Sequence, residues 1–188
     1  MAASSTCREI GDYIIDKDDG NCLGRSPKVC VYPGKHKTIN LNVAGKMFLW
    51  DKRYSADMVE DEVAVMESIP PHENVLKMFD RGTVEIGRYK ELWLILERCE
   101  LGHLGEFAHR ESLSLAQKVD LMLQASRGVH HLHHQAPPVI HRDIKPANLL
   151  ISGTPGQPVL KVADFGESRY FNVSHEDSVR NITAGGTR

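Results

Sequence analysis

Four polar residues in one short stretch of this 188-residue chain could do chemistry together. Asp143, Lys145 and Asn148 fall in His141-Arg142-Asp143-Ile144-Lys145-Pro146-Ala147-Asn148-Leu149-Leu150. Asp164 follows in Ala163-Asp164-Phe165-Gly166. Taken singly, each reads best as a solvated polar loop residue. As a set they bring carboxylates that can accept a proton or hold a hard cation, an amide oxygen of similar hardness, and an ammonium that offsets anionic charge. A second grouping, His130, His131, His133 and His134, invites a metal reading, since His130 and His134 would share a helix face. No third ligand or carboxylate partner accompanies them, so a solvated or half-buried helix end is the better account. Cys7, Cys22, Cys30 and Cys99 form no C-x-x-C pair and read as free thiols of a reducing compartment.

The two ordered motifs resemble the catalytic loop and the metal-binding D-F-G turn of eukaryotic-type protein kinases, of the serine/threonine kind. The resemblance implies ATP-dependent phosphorylation of Ser and Thr hydroxyls, with ATP and Mg2+ as cofactors. That reaction needs positioning and charge neutralisation more than covalent help. By the resemblance, Asp143 sits where the acceptor hydroxyl loses its proton, Lys145 offsets charge on the transferred phosphoryl, and Asn148 and Asp164 hold magnesium. Val43-Ala44-Gly45-Lys46 is similar to the family's V-A-I-K strand, with Gly45 in place of the branched residue; Lys46 would pair the α- and β-phosphates. Its ion-pair partner would be Glu62, three residues after apolar Val59, whereas Glu60 turns away from the stripe of Val59, Val63 and Met66.

The resemblance extends further along the chain. His72-Glu73-Asn74-Val75-Leu76 is similar to H-P-N-I-V. Residues 92–96 run into Glu97-Arg98-Cys99-Glu100-Leu101-Gly102 as edge strand and hinge, with Leu96 at the gatekeeper position. The backbone at Glu97 and Cys99 would bond adenine, and Val31, Ala44 and Leu150 would sandwich the ring. Met66, Met78, His141 and Phe165 match the apolar stack that links two lobes. The glycine-rich loop departs from the pattern. Gly24-Arg25-Ser26-Pro27-Lys28-Val29-Cys30-Val31 keeps only its first glycine; Ser26 and Val29 hold the backbone off a phosphate and Pro27 lacks an N–H, which argues against tight phosphate cover. Arg142 would receive a phosphate on the following segment, where Ser168, Tyr170, Ser174, Ser178 and Thr183 offer hydroxyls; Ser174, Ser178 and Thr183 are favoured. Thr187, in Gly185-Gly186-Thr187-Arg188, would contact Asp143 and Lys145.

The elements needed to position these residues can be read as strands first and helices later. Residues 28–32 form a strand, Pro33-Gly34-Lys35 a turn, and 39–49 the next strand. Residues 84–86 and 92–96 form a hairpin around 87–90. One helix is capped by Ser55 and carries Val59, Val63 and Met66 inward. Another starts near Ser114, with Leu115, Val119, Met122 and Val129 marking one face and Leu132 close by, and ends before Pro137-Pro138. Residues 152–158 form a loop between two short strands, and from Glu167 onward the chain reads as a loop.

The resulting expectation is an α+β, bilobal fold with a complete β-rich N-lobe and a partial helical C-lobe. Residues 1–12 would be a tail, 13–96 the N-lobe, 97–102 the hinge, and 103–188 a partial C-lobe ending in the activation segment, truncated before the family's A-P-E. A competing reading is a pseudokinase or truncated regulatory module that binds nucleotide or a partner without turnover. Composition is that of an ordinary globular protein, 41% hydrophobic and 26% charged, with net charge −2. The expected partners are a protein substrate and an activating kinase, not nucleic acid or membrane, in the cytoplasm or nucleus.

Overall fold

A computed structural model describes residues 6–27, 29–50, 56–87 and 89–171. The chain divides into two compact units, one of residues 1–56 with 77–98 and one of 57–76 with 99–188.

The first unit is an antiparallel sheet. Its strands are β1 (Cys7–Ile10), β2 (Tyr13–Asp16), β3 (Gly24–Arg25), β4 (Val29–His36), β5 (Asn42–Trp50), β6 (Met78–Ile86) and β7 (Tyr89–Glu97). They lie in the order β1-β2-β4-β5-β7-β6, with β3 paired to β4. The core comprises Ile10, Ile15, Tyr32, Val43, Met47, Trp93 and Ile95. The sheet curls, because β1 returns against β6: a Cβ added to Gly82 would lie 2.7 Å from Ile10 Cγ2.

Residues 1–12 are therefore not all tail. Cys7–Ile10 pairs with β2 across a turn at Gly11-Asp12, where Gly11 supplies the left-handed φ of 52° that such a turn needs. Buried Glu91 anchors this hairpin to β7. Arg8 Nε donates to its Oε2 at 2.9 Å, Lys17 pairs with Oε1, and Trp93 Nε1 donates to Oε2 at 3.2 Å. Burial alone would raise the Glu91 carboxyl, but the Arg8 and Lys17 hydrogen bonds outweigh it and hold it below its usual value.

Pro33-Gly34-Lys35 is not a turn either. It runs inside β4, and the chain reverses after His36. Gly34 is needed there because an added Cβ would lie 2.3 Å from Ile15 Cδ1. The hairpin before the second unit is longer than expected, with β6 and β7 each of nine residues and Tyr89 facing Ile86.

The second unit contains α1 (Ala56–Ser68), α2 (Leu104–Arg110), α3 (Leu115–His133) and four short strands, β8 (Val139–Ile140), β9 (Leu149–Thr154), β10 (Gln157–Val162) and β11 (Arg169–Tyr170). β9 pairs with β10 and β8 with β11. Most of α1 thus groups with the helices and not with the 13–96 sheet, tied there by Tyr170, whose hydroxyl donates to the Ala64 carbonyl at 3.1 Å. Val59, Val63, Val65 and Met66 are buried on α1; Ser55 lies outside the described residues.

Helix α3 starts as its sequence suggests, with Ser114 and Gln117 forming a capping box. Its buried face is different. Leu115, Val119 and Met122 are exposed, while Leu121, Gln124, Gly128 and Leu132 are buried. The helix is apolar on more than one side, and polar anchoring selects the side that packs. Gln124 Oε1 accepts from the Leu160 N–H at 2.7 Å and from Asn74 Nδ2 at 3.3 Å. Gly128 admits the Asn74 carbonyl, which would lie 2.4 Å from an added Cβ. Short α2, begun by His103 accepting from the Glu106 N–H, carried no clear periodicity.

Candidate active site

The catalytic-loop stretch follows β8 and is held by bonds to the chain after β10. His141 is buried. Its Nε2 donates to the Ala163 carbonyl at 3.0 Å, and its Nδ1 accepts from the Asp143 N–H at 3.3 Å. That arrangement requires the neutral ring, in agreement with burial pushing the imidazole below its ordinary value. Arg142 and Asp164 both have φ of 66°, a left-handed conformation that non-glycine residues rarely adopt. The two turns that hold the expected site residues therefore carry strain that the surrounding bonds must hold.

Asp143 is gripped at one oxygen. Lys145 Nζ lies 2.7 Å from Oδ2, and Asn148 Nδ2 donates to the same Oδ2 and to the Asp143 carbonyl, each at 2.9 Å. Oδ1 receives no donor among the described residues. The Lys145 ammonium is raised above its ordinary value, first by its hydrogen bond to Asp143. Asn148 is buried at the end of the short helical turn Pro146–Asn148, and its carbonyl accepts from the Ala163 N–H at 2.9 Å. Phe165 is fully buried, with its ring centroid 5.3 Å from that of His141, whereas Asp164 is exposed. Glu62 is buried on α1 and Glu60 is exposed. A Cβ placed on Gly166 would lie 3.6 Å from Glu62 Oε2 and 3.8 Å from Asp164 Oδ1, so both carboxylates flank this glycine.

A protein kinase domain model matches residues 18–186. The chain belongs to the protein kinase family. It is 31% identical over 169 residues to Serine/threonine-protein kinase ATG1a of Arabidopsis thaliana, a match covering 87% of this chain and 25% of that protein. It is 29% identical over 208 residues to Serine/threonine-protein kinase atg1 of Schizosaccharomyces pombe, covering 91% and 24%. The chain thus spans about a quarter of the length of these curated relatives.

The sheet of this kinase domain positions the remaining N-terminal candidates. Gly24 faces Val31, Val31 faces Lys46, and Ala44 faces Leu96 in the strand register. Lys46 is half-buried, with Nζ 5.1 Å from the centre of the Phe48 ring. Gly45 departs from the family pattern for a packing reason: an added Cβ would lie 3.0 Å from Ile15 Cγ2, so Ile15 occupies the space of the missing branched side chain. The Glu97 N–H bonds the Lys77 carbonyl at 2.8 Å. In the second unit the Cys99 carbonyl accepts from the Gly102 N–H at 3.4 Å. Leu101 and Gly102 bond Ile151, beside half-buried Leu150.

The degenerate glycine loop folds as a tight hairpin. The Ser26 N–H donates to the Val29 carbonyl at 2.8 Å, and the Val29 N–H donates to Ser26 Oγ at 3.2 Å. Behind it, Asp19 pairs with Arg25 and accepts from the Tyr32 hydroxyl at 3.1 Å. The Arg25 hydrogen bond, more than that of Tyr32, holds the Asp19 carboxyl below its usual range.

Asn148 and Asp164 offer hard oxygen donors suited to Mg2+, which takes few protein ligands and completes its shell with water and phosphate oxygens. Among the described residues, no group of three or more His, Cys, Asp or Glu could hold a metal. The His130 and His134 rings stack at 3.8 Å. Of the hydroxyls after the D-F-G turn, Ser168 is buried and Tyr170 lies in β11, so the chain does not become a loop at Glu167. Its backbone still has β8 to pair with. Ser174, Ser178, Thr183 and Thr187 lie outside the described residues. Arg142 Nε donates to the Glu167 carbonyl at 2.6 Å. No helix among the described residues is long and apolar enough to cross a membrane.

Proposed function

We propose that this chain forms the catalytic core of a serine/threonine protein kinase that uses Mg-ATP to phosphorylate protein hydroxyls in the cytoplasm or nucleus. The observation that carries the reading is the grip on Asp143. Lys145 and Asn148 both bind Oδ2, which leaves Oδ1 to accept the proton of an incoming Ser or Thr hydroxyl. Lys46 would orient the α- and β-phosphates with Glu62 as its ion-pair partner. The backbone at Glu97 and Cys99 would bond adenine, and Val31, Ala44 and Leu150 would cover its faces. Asn148 and Asp164 would hold Mg2+, which when bound neutralises phosphate charge. The test is phosphoryl transfer from Mg-ATP to a Ser/Thr-containing protein by the full-length protein and its Asp143→Ala variant. The variant is expected to lose transfer while still binding nucleotide; wild-type turnover in the variant would overturn the assignment.

A second reading, nucleotide or partner binding without turnover, is favoured by the hairpin at Ser26 and Val29. The amides of both residues are spent within the hairpin, and Pro27 has none to offer a phosphate. Titration of ATP with and without magnesium separates the readings. Glycine at Ser26 and Val29 is expected to lower the Michaelis constant for ATP.

An activating kinase is the proposed upstream partner. A phosphate at Ser174, Ser178 or Thr183 would bring strong acceptors to Arg142, whose guanidinium now bonds the Glu167 carbonyl and lies 4.0 Å from its carboxylate. Complete phosphatase treatment should reduce activity, and equal activity before and after would exclude this switch.

A further inference from the structure

We infer that Ser168 is a positioning residue, whose hydroxyl holds the strained turn of the catalytic loop against the D-F-G turn. Ser168 is 1% exposed, so its hydroxyl is sealed from water and must find a partner inside. That partner is the His141 carbonyl, at 3.3 Å. The Ser168 N–H donates to the Phe165 carbonyl at 2.9 Å, closing the D-F-G turn. One residue therefore bonds both turns, with its backbone on one and its side chain on the other.

The place of this bond in the fold explains why it is needed. β8 and β11 pair Val139 with Tyr170 and Ile140 with Arg169, so Ser168 stands at the next register position, opposite His141. The ladder cannot continue, because Arg142 turns left-handed at φ 66°. Immediately beyond it is Asp143, and four residues before Ser168 is Asp164, itself at φ 66°. Of the two strained residues, Asp164 belongs to the pair proposed above to hold the metal, and Arg142 directly precedes the proposed base Asp143. The Ser168 hydroxyl joins the Arg142 bond to the Glu167 carbonyl, the His141 bond to the Ala163 carbonyl and the Ala163 N–H bond to the Asn148 carbonyl in linking these two stretches. Only the first involves a small buried side chain that alanine would replace without loss of volume beyond one oxygen. Its removal also leaves the His141 carbonyl without a donor in a buried setting.

The inference rests on the proposed roles of Asp143 and Asp164, and its test separates the two. Ser168→Ala and Ser168→Cys, the latter keeping a weak donor of similar size, are made in the full-length protein. Amide hydrogen exchange is measured first, without nucleotide or metal. Segments 138–143 and 163–171 are expected to exchange at least tenfold faster in Ser168→Ala, with Ser168→Cys intermediate and α3 unchanged. Transfer rate is then measured against free Mg2+ at saturating ATP. Half-saturation should shift at least threefold upward in Ser168→Ala and less in Ser168→Cys. A merely structural serine would lower the maximal rate in proportion to the folded fraction and leave the Mg2+ dependence in place. Unchanged exchange in those two segments, exchange raised equally throughout, or a wild-type Mg2+ dependence would each overturn the inference. If the wild-type protein shows no transfer at all, the proposed function fails, while the exchange measurement still decides the role of Ser168.

Discussion

At the scale of single residues, the most informative group is the Asp143 carboxylate. A general base, the role proposed for Asp143, needs a defined orientation, because proton transfer requires hydrogen-bond reach. Here the orientation comes from two donors on Oδ2, and they differ in kind. Asn148 is buried and also grips the Asp143 backbone, whereas the Lys145 side chain is half exposed. The two substitutions should therefore separate. Asn148→Ala is expected to lower the turnover number by about 10²-fold or more, because it frees both the carboxylate and the loop and removes the oxygen donor proposed for Mg2+. It should also destabilise the protein by about 1 kcal/mol, since the part-buried Asp143 carbonyl loses its donor. Lys145→Met should lower turnover with a melting temperature close to wild type, because an exposed pair contributes little stability. Steady-state kinetics with thermal melts of both variants check this. Equal loss of stability in the two would mean that Lys145 holds the loop as firmly as Asn148 does.

At the scale of elements, Gly45 shows how a departure from a family pattern is absorbed by a neighbouring strand. Ile15 of β2 is fully buried, and its side chain fills the volume above Gly45 of β5. Gly45→Val should destabilise the protein by about 1–3 kcal/mol through overpacking. Ile15→Ala should be destabilising alone but should partly rescue Gly45→Val, a negative interaction energy in a double-mutant cycle. Simple additivity would show that the two side chains do not compete for one space. The same example marks what sequence could convey. The family was legible because the catalytic-loop and D-F-G motifs are ordered runs of particular residue types, and the protein kinase domain match over residues 18–186 bears it out. The Ser114 cap was legible because capping is local. Ile15 compensating for Gly45 was not, since nothing in either segment points to the other. The buried face of α3 is not legible because Leu115, Val119 and Met122 keep the same period as Leu121, Gly128 and Leu132, and the Asn74 and Gln124 hydrogen bonds with the close approach at Gly128 choose between them. Cys7–Ile10 is too short for any alternation to stand out, and Glu91 looks like a surface charge until Arg8 and Lys17 are placed beside it.

At the scale of the whole molecule, the two units should respond to acid in a fixed order, because different groups govern each. In the helical unit burial lowers His141, and burial followed by the charge of neighbouring His131 lowers His72. His72 stacks on His131 with ring centroids 4.5 Å apart, and its Nδ1 accepts from the Asn74 N–H at 3.0 Å. Glu73 opposes the shift, and Lys161 and His130 add to it. A group whose pKa is depressed on folding contributes its stability in full above the unfolded value and loses it as pH falls, because the unfolded chain takes up the proton first. For these imidazoles the loss begins near the ordinary value of 6.5. In the sheet unit the governing group is Glu91, held below its ordinary 4.5 by Arg8 and Lys17, so its contribution persists to lower pH. Two probes follow the units separately. Both tryptophans, Trp50 and Trp93, belong to the sheet unit, and all but the first residue of the three helices belong to the other. On acid titration the helical circular dichroism signal should fall at higher pH than the tryptophan fluorescence changes, by about one pH unit or more. His72→Asn keeps an acceptor for the Asn74 N–H and removes the titrating ring, so it should move the helical transition to lower pH and leave the fluorescence transition in place. Arg8→Met should do the converse, raising the pH of the fluorescence transition alone. Coincident transitions in the wild-type protein, unmoved by either substitution, would show that the units unfold as one and that neither the imidazoles nor Glu91 governs acid stability.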